Sequence, residues 1–143
     1  MTVEQLSIFV ENKPGRLAAV TKTLADNGVS IRALSVADST DFGILRLIVD
    51  NVEKAVEALQ KKGVSVAITE VVAVEVEDRT GGLATVLSHF DEAKVNVEYM
   101  YAFARKSGGN AIIIFRFEHM PEAIEALEQT GVIIKSPEEI YQL

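Results

Sequence analysis

The twelve residues Leu6-Ser7-Ile8-Phe9-Val10-Glu11-Asn12-Lys13-Pro14-Gly15-Arg16-Leu17 return in altered form, 66 positions later, as Val72-Ala73-Val74-Glu75-Val76-Glu77-Asp78-Arg79-Thr80-Gly81-Gly82-Leu83. The same offset lays Gly28-Val29-Ser30-Ile31 on Lys94-Val95-Asn96-Val97, and an offset of 68 lays residues 51–59 on residues 119–127. Two residues have therefore entered the second copy. They fit most easily in the basic, glycine-rich run Arg105-Lys106-Ser107-Gly108-Gly109-Asn110, a longer hairpin turn where the first copy has Ser39-Thr40-Asp41. A repeat of this length constrains the fold more than any single motif, because each copy must close as one supersecondary unit. The chain accordingly divides into two expected domains, residues 1–70 and 71–143, each near the lower end of compact-domain size.

Hydrophobic periodicity reads alike in both copies. Leu6, Ile8 and Val10 alternate with Ser7 and Phe9, and Val72, Val74 and Val76 alternate with Ala73 and Glu75, which predicts a first strand in each. Leu17, Val20 and Leu24, and in the second copy Leu83, Val86, Leu87 and Phe90, recur at helical spacing and give each first helix one apolar stripe. Asn27-Gly28 suits a left-handed helix end, whereas Ala93-Lys94 lacks the glycine. Hairpin strands are expected at Ile31–Ala37 with Ile44–Val49, and at Val97–Ala104 with Ala111–Phe117. Second helices follow, stopping at Gly63 and Gly131, and last strands at Val64–Thr69 and Val132–Ile134 complete β-α-β-β-α-β twice. The fold class is α+β: two ferredoxin-like βαββαβ domains in tandem, each an antiparallel sheet with helices on one face. Glu70-Val71 is the only linker between the copies. Ser136-Pro137-Glu138-Glu139 has the pattern of a capping box and predicts a short terminal helix through Tyr141.

Composition removes several classes of function. The chain has 48% apolar and 24% charged residues, the balance of a globular protein. It has no cysteine, hence no disulfide, thiolate metal site or cysteine nucleophile. Net charge is −7 with the basic residues scattered, so nucleic acid is not an expected partner. No apolar run approaches a membrane span, no basic and apolar leader opens the chain, and the cytoplasm is the expected location. His89 and His119 are isolated, Glu122, Glu125 and Glu128 lie on the polar side of a helix, and no acid–base or metal constellation is evident. No cofactor and no enzymatic activity are expected.

Chemistry concentrates where the first strand of each copy ends in a polar turn and meets a glycine at a helix start. Free N–H groups and the positive end of the helix dipole favour an anion there, and glycine admits a ligand close to the main chain. The dipole contributes only about 0.3–1 kcal/mol, so side chains must supply identity and most of the affinity.

Glu11-Asn12-Lys13-Pro14-Gly15-Arg16-Leu17, followed by Asn27-Gly28-Val29-Ser30-Ile31, resembles the signature of the ACT domain; the second copy resembles it more weakly. The likeness covers nearly the whole chain and is closest to small stand-alone proteins made of two such domains. It implies an amino-acid effector held at the strand 1/helix 1 loops, at contacts between domains. Carried over by position, the ligand-binding residues are Asn12, Lys13, Pro14, Gly15, Arg16, Leu17 and Ser30, and in the second copy Asp78, Arg79, Thr80, Gly81, Gly82, Leu83 and Asn96. Asn12 would meet the ligand's polar groups, Pro14 and Gly15 would form the backbone cradle, and Leu17 would lie beneath it. Ser30 stands where many members have an asparagine reaching a ligand on the neighbouring domain; Asn96 keeps that residue. Asp78 either accepts from an α-ammonium group or caps its own helix. Phe42-Gly43 and Tyr99-Met100-Tyr101 either line a pocket or pack as ordinary core, packing being the usual role of strand aromatics.

The expected function is regulatory amino-acid sensing by a homodimer, with a partner enzyme of amino-acid metabolism. The alternative is a non-catalytic regulatory or structural subunit that acts on its partner enzyme without ligand.

Overall fold

The computed structural model describes residues 1–38, 41–103 and 109–143. Its elements are β1 (Val3–Glu11), α1 (Arg16–Asp26), β2 (Ile31–Asp38), β3 (Phe42–Val49), α2 (Val52–Lys61), β4 (Val66–Val76), α3 (Gly82–Glu92), β5 (Val97–Ala102), β6 (Ala111–Phe117), α4 (Met120–Glu128), β7 (Ile133–Ile134) and α5 (Pro137–Tyr141). Contacts gather into two compact units, residues 4–69 and residues 70–141, the first three residues grouping with the latter. Each unit is a mixed α+β, ferredoxin-like domain.

In the first domain β1 lies between β3 and β4, and β2 pairs with the far side of β3. The β1–β3 and β2–β3 pairs are antiparallel, with Ile8 opposite Leu45 and Val36 opposite Leu45 in turn. In the second domain β4 lies between β6 and β7, and β5 pairs with β6, all antiparallel. The strand order is the same in both.

The alternation of β1 puts Leu6, Ile8 and Val10 into the first core with Val20 and Leu24 of α1 and Leu59 of α2. The second core carries more aromatic volume. Leu24, Leu47 and Val49 of the first copy correspond by the repeat to Phe90, Phe115 and Phe117, which are fully buried. Phe90 meets Phe115 and Phe117 edge-on at centroid distances of 4.9 and 5.3 Å, the arrangement ring quadrupoles favour.

Several details differ from the sequence reading. The expected last strand of the first copy and first strand of the second are one strand, β4, through Glu70 and Val71. At the end of α1, Gly28 takes φ +71° and Val29 N–H donates to Leu24 O at 2.9 Å. The second copy makes the same turn without glycine: Lys94 adopts φ +58° and Val95 N–H donates to Phe90 O at 2.9 Å. Tertiary packing of the stripe has overridden the local preference against a left-handed lysine.

Gly63 ends α2 at φ +74°, but Gly131 does not end α4. There the Thr130 hydroxyl donates to Leu127 O at 2.7 Å and accepts from Val132 N–H at 3.2 Å, so a side chain does what glycine does in the first copy. Leu17, expected on the buried stripe, is 42% exposed because α1 has only just begun beside it. The hairpin turn thought to hold the two extra residues lies mostly outside the described residues.

The capping box forms. Ser136 N–H donates to Glu139 Oε2 at 2.8 Å while Ser136 Oγ accepts from Glu139 N–H at 3.3 Å. Lys135 Nζ bridges Glu139 at 3.2 Å and Glu75 of β4 at 3.4 Å, which holds the start of α5 to the second sheet.

Candidate functional site

The two strand–helix loops have one backbone. Gly15 and Gly81 precede their helices at φ +88° and +85°. Lys13 N–H donates to Glu11 O, and Arg79 N–H to Glu77 O, both at 2.9 Å; Ala19 N–H donates to Gly15 O, and Thr85 N–H to Gly81 O, both at 3.0 Å. The left-handed glycine leads directly into the helix, whose first amide reaches back into the loop, Arg16 N–H to Lys13 O at 3.4 Å and Gly82 N–H to Arg79 O at 3.0 Å, while the next two amides lack intrahelical acceptors. The N-cap position of each helix is glycine, which has no side chain to cap with.

Around the first loop, Asn12 to Ala19 are exposed. Glu11 pairs with Lys13 at 3.1 Å and with Arg16 at 3.4 Å. The Lys13 hydrogen bond, reinforced by the charges of Lys13 and Arg16, holds the Glu11 carboxyl below the usual carboxylate range. Asn12 N–H donates to Asp41 O at 2.9 Å, which fixes the loop to the β2–β3 turn. A Cβ on Gly15 would meet nothing within 4 Å, so this glycine serves its φ angle and the space over it is open. A Cβ on Gly82 would stand 2.0 Å from Glu77 O, so the second loop closes directly on its helix start. Arg79 also pairs with Glu77 inside that loop.

Ser30 and Asn96 lie elsewhere in their copies. Each follows the C-terminal end of the first helix, about 16 Å along α1 or α3 from the loop. Ser30 N–H donates to Asp50 Oδ1 at 2.9 Å and its hydroxyl accepts from Arg32 at 3.1 Å. Asn96 Nδ2 donates to Glu118 Oε2 at 3.1 Å. A single copy thus brings together its loop residues 12–17 or 78–83, and does not bring Ser30 or Asn96 to that loop.

Sequence reasoning missed a groove beside the first loop. It has a volume of about 730 Å³ and runs from Phe9, Glu11 and Phe42 along α1 to the turn Lys62-Gly63-Val64-Ser65. Phe9 and Phe42 are each 54% exposed. Phe42 therefore lines an opening, whereas Tyr101, weighed with it, is nearly buried. The signal for Phe9 was in the strand: an aromatic on the face opposite Leu6, Ile8 and Val10. Among the described residues no helix is long and apolar enough to cross a membrane, and no cluster of metal-ligating side chains is found.

A duplicated ferredoxin-like domain, each copy carrying a strand–glycine–helix turn that is open in the first, defines a regulatory binding module. Comparison with known families gives the same class its name: the ACT domain pair matches residues 1–137, and the chain belongs to that family of regulatory amino-acid-binding modules. It is similar over 100% of its length, and 98% of the other chain, to protein BT0572 from Bacteroides thetaiotaomicron, at 40% identity and TM-score 0.91. The regulatory subunit of aspartate kinase from Thermus thermophilus, in its ligand-free form, shares the fold at 19% identity and TM-score 0.61, with 88% of this chain and 91% of that one covered. That of Thermus flavus does so at 16% identity and TM-score 0.58, with 88% and 90% covered. No curated protein matches the chain.

Proposed function

We propose that the chain senses a free amino acid, that domains 1–70 and 71–143 are its two modules, and that it has no catalytic activity of its own. The observation that carries this reading is the shared loop backbone: in the first copy the turn Asn12-Lys13-Pro14-Gly15 leaves open space over a helix start with Lys13 and Arg16 beside it. An α-carboxylate suits the amides and cations, and the ionised Glu11 suits an α-ammonium group. Ser30 and Asn96 lie a helix length from their own loops, so either serves a ligand only on a neighbouring domain's loop. This favours a homodimer whose ligand bridges domains and biases their arrangement.

The fold neighbours from Thermus are regulatory subunits of aspartate kinase. By analogy the chain acts in the cytoplasm on a partner enzyme of amino-acid metabolism. A ligand that binds only the folded state stabilises it by RT ln(1 + [L]/Kd), about 2.7 kcal/mol at a hundredfold excess over Kd. A thermal-shift screen against the twenty amino acids should therefore give a selective rise in Tm. Asn12→Ala and Gly15→Val should abolish that rise while the chain remains folded. A rise retained in both folded variants would refute the site; no rise with any amino acid would favour a ligand-independent regulatory subunit.

A further inference from the structure

The repeat places a second groove at the position equivalent to the first, and the two are built differently. Glu75, Glu77, Val86, Gly131 and Val132 line the second as Phe9, Glu11, Val20, Gly63 and Val64 line the first. Its volume is about 230 Å³ against about 730 Å³; small-molecule sites commonly occupy about 300–1,000 Å³.

The cause of the difference is chemical. By the strand registers, Phe9 and Phe42 of the first sheet correspond to Glu75 and Asn110 of the second. Phe9 and Phe42 are diagonal neighbours on one face, and both stand half in solvent beside the groove. Asn110 Nδ2 instead donates to Glu75 Oε1 at 2.9 Å, and Glu75 Oε2 takes Lys135 Nζ at 3.4 Å. The polar pair in the second copy is thus satisfied internally and nearly buried, Glu75 and Lys135 being 17% and 14% exposed. The aromatic pair in the first copy leaves apolar surface in water.

The helix starts differ in the same sense. Gly82 lies against the main chain of Glu77, whereas its counterpart Arg16 carries a full side chain. Gly82 N–H reaches Arg79 O at 3.0 Å where Arg16 N–H reaches Lys13 O only at 3.4 Å. Charge in the first groove is nearly matched within its wall: Arg16 pairs with Glu11 and Lys22 with Asp26 at 2.8 Å. Lys62 lines the same groove and has no carboxylate partner among the described residues.

From this contrast, and resting on the amino-acid-sensing reading above, we infer that the first copy alone holds the effector and that the effector is an α-amino acid with an apolar side chain. Its side chain covers Phe9 and Phe42, and its carboxylate is drawn to the helix start beside Arg16, with Lys62 adding positive potential from the far end of the same groove. The second copy is a closed structural counterpart.

Isothermal titration of the full chain with leucine, isoleucine, valine, methionine and phenylalanine, against aspartate, lysine and serine, tests this. The expected result is preference for an apolar amino acid at one site per chain. Phe9→Ala with Phe42→Ala should weaken that binding about tenfold or more, the effect of losing about 1.4 kcal/mol of apolar contact, and Lys62→Met should weaken it as well. Both variants alter exposed side chains, and an unchanged denaturation midpoint will show that they are folded. Two equal sites per chain, preference for charged or small polar amino acids, or unchanged affinity in the folded double variant would overturn this inference and leave the sensing reading standing. No binding by any amino acid would overturn both.

Discussion

Lys94 and Gly28 make the same helix-ending turn, and only one of them has the side-chain-free backbone that suits it. A non-glycine residue in the left-handed region loses about 1–2 kcal/mol relative to its preferred conformations, partly offset by the larger entropy that glycine loses on folding. Lys94→Gly is therefore expected to stabilise the chain by about 0.5–1 kcal/mol, read as a higher urea midpoint at unchanged slope. Phe90 sits against two other rings in the second core, and Phe90→Ala should cost about 3–5 kcal/mol through lost contact and the cavity left behind. The sequence marked both positions only in part. It showed that Ala93-Lys94 lacked a glycine but not that the turn would form regardless, because that depends on Val95 and Phe90 being held by the core.

Among the helices, α2 and α5 depend most visibly on local polar bonds. Asn51 Oδ1 accepts from Lys54 N–H at 3.0 Å and caps α2; Asn51→Ala should cost about 1 kcal/mol of stability. At α5 the capping hydrogen bond from Ser136 N–H, followed by the Lys135 bond, lowers the pKa of Glu139, while the Glu139 bond raises that of Lys135. The lowered carboxyl contributes above its ordinary value of 4.5 and its contribution is lost as pH falls through the folded value. The raised ammonium contributes below its ordinary 10.5 and its contribution is lost as pH rises through the folded value. Attachment of α5 is thus greatest between these limits. The protection factors of the amides of residues 138–141 should fall selectively toward acid pH, and Glu139→Gln should produce much of that loss at neutral pH. This element was legible in full, since a capping box is a local pattern. β4 was not: Val66 to Val76 is one strand because nothing in Thr69-Glu70-Val71 breaks it, yet a repeat boundary invites a reading as two.

At the level of the molecule, duplication is what the sequence displays best. Strand order, helix placement and the paired glycine turns follow from periodicity and from a repeat in register. The candidate site is less legible because its character lies in differences between the copies. Phe9 against Glu75, Phe42 against Asn110 and Arg16 against Gly82 read as ordinary divergence until the sheet register places them on equivalent walls. Lys62 and its turn join the groove from more than fifty positions beyond β1, so no local motif could have included them.

Amino-acid sensing is the central claim, and its most direct test is equilibrium binding of free amino acids to the purified chain. Titration calorimetry with all twenty at millimolar concentration should give a saturable heat for at least one, lost in Gly15→Val while that variant still unfolds cooperatively. Absence of saturable heat for every amino acid, in a chain shown to be folded, would contradict the account.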